Sequence, residues 1–183
     1  SESLSNLAAA LDGELKYSKR ERQHNTLRAI ADYQFPLETG GPDDENRTDR
    51  DAGATSARAA GDLLFDDLTA EGRYPQLRAH DGEGTQLAQL ARQYGVLAFT
   101  IAGAKRWRDS GVPTRQVDID GFVPHGSVLA PGVVEADESI RVGDEVLIDG
   151  PNAFAVGRAA MHGREMAEST RGVACEVRHV EEK

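Results

Sequence analysis

The chain has 183 residues, 39% hydrophobic and 5% aromatic, with 31 acidic against 21 basic residues and a net charge of −10. This length holds one ordinary domain or two small ones, and so acidic a total argues against unspecific attraction to nucleic acid. A lone cysteine, Cys175, excludes an intramolecular disulfide or a cysteine zinc cluster and fits a reducing compartment.

Only Lys16, Lys19, Lys105 and Lys183 are lysines. An acidic, lysine-poor surface that keeps its arginines suits a protein soluble in strong salt, so a halophilic source is expected and local basic clusters inform more than the sum. No apolar run approaches the roughly 20 residues that span a bilayer. The start, Ser1-Glu2-Ser3-Leu4, has no basic or apolar leader pattern, so a cytoplasmic setting without membrane contact is expected. A first residue other than methionine reads either as methionine removal or as a piece of a longer chain.

Residues 3–11 put Leu4, Leu7, Ala8 and Leu11 on one helical face, and Asp12-Gly13 stops that helix. A second helix is expected from Ser18 to about Tyr33, with Ser18 and Glu21 as a capping box and Leu27, Ile30, Ala31 and Gln34 at helical spacing. Around its start lie Lys16, Lys19, Arg20, Arg22 and Arg28 against the single Glu21, the most basic stretch of the chain. Residues 36–61 are rich in Gly, Asp, Pro and Thr and nearly empty of large apolar side chains, so an acidic mobile insertion is expected there.

Order returns at Leu63-Leu64-Phe65. Strands are expected over Tyr74–Ala79, Gln86–Ala91 and Val96–Ile101, separated by glycine-bearing turns. A short basic helix, Lys105-Arg106-Trp107-Arg108, follows. Beyond Arg115 the expected strands are Gln116–Ile119, Val128–Val134, Asp144–Ile148, Ala153–Ala160 and Val173–Val180, with a turn or two of helix over Arg164–Ser169. So many short, glycine-punctuated strands point to a small barrel or sandwich.

Within this last block, four pieces occur in order: Gly126-Ser127-Val128-Leu129-Ala130-Pro131-Gly132-Val133, Ile140-Arg141-Val142-Gly143-Asp144-Glu145-Val146, Ala155-Val156-Gly157-Arg158-Ala159 and Arg171-Gly172-Val173-Ala174. Together they resemble the PUA domain, which implies a pseudo-barrel that binds structured RNA. Residues 27–35 (LRAIADYQF) and 97–104 (LAFTIAGA), with the PUA-like block, look like the C-terminal half of archaeal tRNA-guanine transglycosylase and archaeosine synthase. The phrases GSVLAPGVVEAD and AVGRAAMHGREMAESTRGVACEVRH look closer to the synthase. Residues 36–61 depart from that pattern by interrupting the glycine-rich continuation after Phe35. The resemblance implies an α+β chain: residues 1–35 and 62–114 form a small helix-plus-antiparallel-sheet domain around the insertion, and residues 115–183 form the PUA pseudo-barrel.

By that resemblance the chain binds tRNA and presents it to a catalytic domain on the same longer chain or in a partner subunit. The alternatives are a stand-alone PUA protein of ribosome biogenesis or translation, or an enzyme in its own right. Gly126 and Gly132 bracket Ser127, Val128, Leu129, Ala130 and Pro131, a segment without charge where a phosphate backbone can approach; an ordinary barrel turn reads the same way. Arg158 and Arg171 lie near the RNA face the resemblance implies, where each would pair with phosphate or bridge an acidic neighbour. Lys105, Arg106 and Arg108 are further candidates for phosphate, with Trp107 expected in the core. The five histidines have no HxxxH or HxH spacing, so no metal site is expected. No nucleotide loop or nucleophile elbow occurs, so neither a cofactor nor catalysis by this chain alone is expected. Cys175 alternates with Val173 and Val177 and is read as a small inward hydrophobe.

Overall fold

A computed structural model describes residues 19–37 and 59–183. The expected helix over 3–11, the Ser18 cap, Lys16 and residues 38–58 of the expected insertion lie outside them.

Helix α1 covers residues 19–34. Of the residues at helical spacing, Leu27, Ala31 and Gln34 are buried and Ile30 is half-buried; Phe35, just past the helix, is buried too. Four antiparallel strands lie against it in the order β1-β2-β3-β4: β1 Thr69–Glu71, β2 Arg78–His80, β3 Gln86–Ala91 and β4 Val96–Phe99. An edge strand presents unpaired backbone groups, and α1 covers both edges. The Gln34 amide donates to Leu97 O (3.0 Å) and accepts from Leu97 N (2.7 Å) on β4. At the far edge Gln23 donates to Gly72 O (2.5 Å) and the His24 Nε2 accepts from Ala70 N (3.2 Å).

Three expectations for this part change. The insertion expected over 36–61 ends early, because α2 (Ala60–Leu64) begins inside it. Ala60 and Gly61 are buried, and Gly61 N donates to Asp32 Oδ1 at 2.7 Å. The strand expected from Tyr74 starts only at Arg78, since Gln76 N closes a turn onto Arg73 O and Pro75 has no N–H to give a ladder. Ile101 ends no strand: it opens α3 (Ile101–Asp109), whose N-cap Thr100 accepts from Gly103 N at 3.2 Å.

The second sheet has six strands in the order β6-β10-β9-β8-β5-β7: β5 Gln116–Ile119, β6 Ser127–Leu129, β7 Val133–Ala136, β8 Glu145–Asp149, β9 Ala153–Ala159 and β10 Val173–Glu182. The α4 helix, Gly163–Glu168, precedes β10. The continuous strand expected over Val128–Val134 is instead two strands on opposite edges of this sheet, joined by a 3-10 turn at Ala130–Gly132. Pro131 lacks an N–H and cannot continue a ladder. The split curls the sheet into a pseudo-barrel, because the joined strands β6 and β7 stand at its two ends.

Strand β8 is apolar at successive positions because it is buried on both faces. Val146 and Ile148 fill the barrel interior with Val117, Val128, Ala155, Met166 and Cys175. Leu147, with Phe154 and Val156 of β9, joins the core of the small sheet around Phe35, Phe99 and Trp107. Arg115 ties the same junction: it donates to Gln34 O (2.9 Å), lies 3.4 Å from Asp144 and sits over the Phe35 ring.

Candidate nucleic-acid interface

The segment Gly126–Gly132 runs along the exposed edge of the barrel. Gly126 has φ +77°, a conformation other residues rarely adopt, and a Cβ there would meet no atom within 4 Å. Its carbonyl accepts from Val177 N (2.9 Å), and Ala130 N donates to Gly172 O (2.9 Å). Val128 and Ala130 point inward, leaving Leu129 55% exposed and Pro131 exposed. Gly132 is not open: a Cβ there would stand 2.8 Å from the Phe122 ring. The backbone therefore comes close to solvent at Gly126, while Gly132 serves the packing of Phe122.

The bond from Ala130 to Gly172 brings Arg171 beside the turn. Arg171 is exposed and forms no ion pair with a described residue. Arg158 lies elsewhere on the same sheet. Its cross-strand partner is Glu176, whose other partner is Ser127, so the three share a face and Arg158 stands two strands, roughly 10 Å, from the edge. Its guanidinium lies 3.4 Å from the Tyr94 ring centroid and its Nε donates to Gly143 O at 3.2 Å. That geometry is a cation placed over an aromatic face.

The basic helix is engaged within the fold. Lys105 pairs with Glu181 (2.5 Å) across the two units, Arg106 with Asp66 and Asp67, and Arg108 with Asp109 (3.1 Å) while lying over the Phe154 ring. Trp107 is fully buried and donates to Pro113 O. Burial pushes the Cys175 thiol up to about 12, which keeps it protonated and unreactive.

Two groups that sequence reasoning passed over face the junction. Glu145 is 4% exposed, accepts from Phe99 N at 2.8 Å and contacts Arg178, which also donates to Phe99 O. Burial raises its carboxyl to about 7, against the pull of Arg178. Tyr94, half-exposed in the turn after β3, is the other. Neither carries a local signal, because the partners lie tens of residues away in the chain.

Residues 121–180 match the PUA domain family, and residues 57–113 match the family described as the patch-forming domain C2 of tRNA-guanine transglycosylase. Over its whole length the chain is 55% identical to archaeosine synthase of Haloferax volcanii, of which it spans 28%. Over 92% of its length it is 32% identical to tRNA-guanine(15) transglycosylase of Thermococcus onnurineus, of which it spans 27%. A crystal structure of a hypothetical protein from Pyrococcus horikoshii superposes with TM-score 0.55 and 23% identity, covering 86% of this chain and 89% of that one. That likeness shows a shared fold for both units together.

Proposed function

Since the chain belongs to the archaeosine synthase and archaeal tRNA-guanine transglycosylase family, as a region bearing its C2 and PUA units, we propose that it grips tRNA and presents it to a catalytic unit elsewhere in the enzyme. The observation that carries this reading is the uncharged barrel edge Gly126–Pro131, open at Gly126 and flanked by Arg171, which forms no ion pair with a described residue. Backbone N–H groups and an exposed guanidinium are the donors that phosphate oxygens take. With a net charge of −10, binding rests on this local surface rather than on general attraction. The acidic, lysine-poor composition supports work in a salt-rich cytoplasm.

Leu129→Glu and Arg171→Glu test the reading, because both side chains are exposed and neither change disturbs the core. Each should weaken tRNA binding, measured in high salt, by roughly tenfold or more, the equivalent of one lost charge-assisted contact. Unchanged tRNA affinity in both folded variants, checked by circular dichroism, would move the grip elsewhere.

A further inference from the structure

The small sheet ends at β4, an edge strand whose outward backbone groups belong to Leu97 and Phe99, since Ala98 between them pairs with Gln89 of β3. Such an edge is ordinarily met by another strand or left to water. Here side chains take the strand's place at both positions. The Gln34 amide meets Leu97 N and O from within the small unit. At Phe99 the barrel does the same with charged groups. Glu145 accepts from Phe99 N (2.8 Å), Arg178 Nη2 donates to Phe99 O (3.3 Å), and the two side chains pair with each other. Carboxylate and guanidinium thus reproduce the acceptor and the donor of one residue of a fifth strand.

The barrel is shaped to make this contact. Glu145 opens β8 and Arg178 belongs to β10, with β9 running between those strands. The register of β10 shifts between Val177 and His179, which face the consecutive Gly157 and Val156, so Arg178 is the extra residue of a bulge. A bulge re-aims a side chain. Gly157 leaves room for it, because a Cβ there would run into Glu176 O. Glu145 also has Arg158 as its cross-strand partner, but that guanidinium lies over the Tyr94 ring; Arg178 is the one that reaches Phe99. Beneath the pair, Leu147, Phe154 and Val156 join the core around Phe99 and Trp107. Apolar burial is non-directional, whereas bonds to an N–H and a C=O have a direction.

We propose that the Glu145–Arg178 pair is an orientation lock: it sets the angle of the barrel on the small sheet, and with it the direction in which the edge Gly126–Pro131 faces, while the apolar core supplies the adhesion. A buried ion pair is a poor source of stability, since burial strips each charge of its hydration, and specifying one arrangement is the role left to it. The proposal holds whatever the barrel edge binds.

Residual dipolar couplings of backbone N–H groups in the full chain read the orientation of each unit separately, at about pH 8 where Glu145 is ionised. In the parent, couplings from both units should fit one alignment tensor. Those of Glu145→Gln should as well, because its amide oxygen still accepts from Phe99 N and Arg178. Glu145→Leu with Arg178→Met replaces the pair by apolar groups of similar size. This double variant should stay folded in a urea titration yet need a second tensor for the barrel. Hydrogen exchange in the parent requires no variant: Phe99 N–H should be as slow as Ala98 N–H. In the double variant Phe99 N–H should exchange roughly tenfold or more faster, the equivalent of one lost hydrogen bond to a charged group, with Ala98 N–H unchanged. A single tensor in the double variant would mean that the apolar core alone orients the barrel, and would overturn the proposal. Two tensors in the parent or in Glu145→Gln, or a Phe99 N–H much faster than Ala98 N–H in the parent, would overturn it too. So would a double variant that does not fold, since the pair would then be a source of stability rather than of orientation.

Discussion

Glu145 is the residue whose chemistry depends most on the fold around it. It stands on β8 between the two units, with Phe99 N and Arg178 as its partners and almost no access to water. Burial lifts its carboxyl from 4.5 to about 7. The folded chain therefore keeps a proton that the unfolded chain releases near pH 4.5. Stability from this group is full below that pH and falls as pH rises towards 7. His24 and His179 act oppositely, since burial lowers both and stability from them rises with pH up to about 6.5. The bare pH profile mixes these effects, so the comparison with Glu145→Gln isolates the carboxyl. The amide oxygen can keep the bond from Phe99 N without a charge. Relative to this variant, the parent should lose roughly 1–3 kcal/mol between about pH 4.5 and 7, read from urea unfolding across that range. Parallel profiles would mean that Arg178 holds Glu145 ionised throughout. Nothing in the run Val142-Gly143-Asp144-Glu145-Val146 distinguishes Glu145 from the partly buried Asp144 beside it; only the approach of β4 and Arg178 does so.

Element by element, what was legible followed from local periodicity and what was missed followed from distant partners. The face of α1 could be read because Leu27, Ala31 and Gln34 recur at helical spacing, and β3 and β9 because their apolar runs are bounded by glycine turns. β1 could not be read, since Thr69–Glu71 is three residues long and depends on pairing with β2. The division of β6 from β7 is signalled by Pro131, but their opposite places in the sheet are set by β10 and β5. In the candidate site, the uncharged edge was visible as a glycine-bracketed segment, whereas the separate places of Arg158 and Arg171 were not. Gly103 shows the same limit. In an exposed helix, Gly→Ala gains up to about 1 kcal/mol. In α3, a Cβ at Gly103 would lie 1.9 Å from Leu87 O of β3, which rigid backbone cannot yield. Gly103→Ala should therefore destabilise the chain by about 1–3 kcal/mol, seen as a lower urea midpoint at unchanged slope; a stabilised variant would show that α3 is free to lift from the sheet.

At the scale of the whole molecule, the question is whether the two units fold separately. Distinct matches for residues 57–113 and 121–180 describe two families, but the packing describes one cooperative body. Leu147, Phe154 and Val156 belong to barrel strands and yet lie in the core of the small sheet. Arg108 covers the Phe154 ring from α3, and Lys105 reaches Glu181 of β10. A barrel separated from the small sheet would expose those three apolar side chains to water, and the small sheet would lose the wall beside Trp107. Thermal unfolding should thus be a single transition. Trp107 is the only tryptophan and is buried in the small unit, so its fluorescence follows that unit, while the methyl NMR signals of Val146 and Ile148 follow the barrel interior they fill. The two signals should coincide. Phe154→Ala, which empties a buried aromatic site, should cost about 3–5 kcal/mol and shift both signals together although the residue sits in the barrel. Separate midpoints in the parent, or a Phe154→Ala shift confined to the barrel methyl signals, would show that the junction is a contact between independent domains. A coincident shift would mean that the core shared by Leu147, Phe154, Val156 and Trp107 unfolds as one cooperative unit.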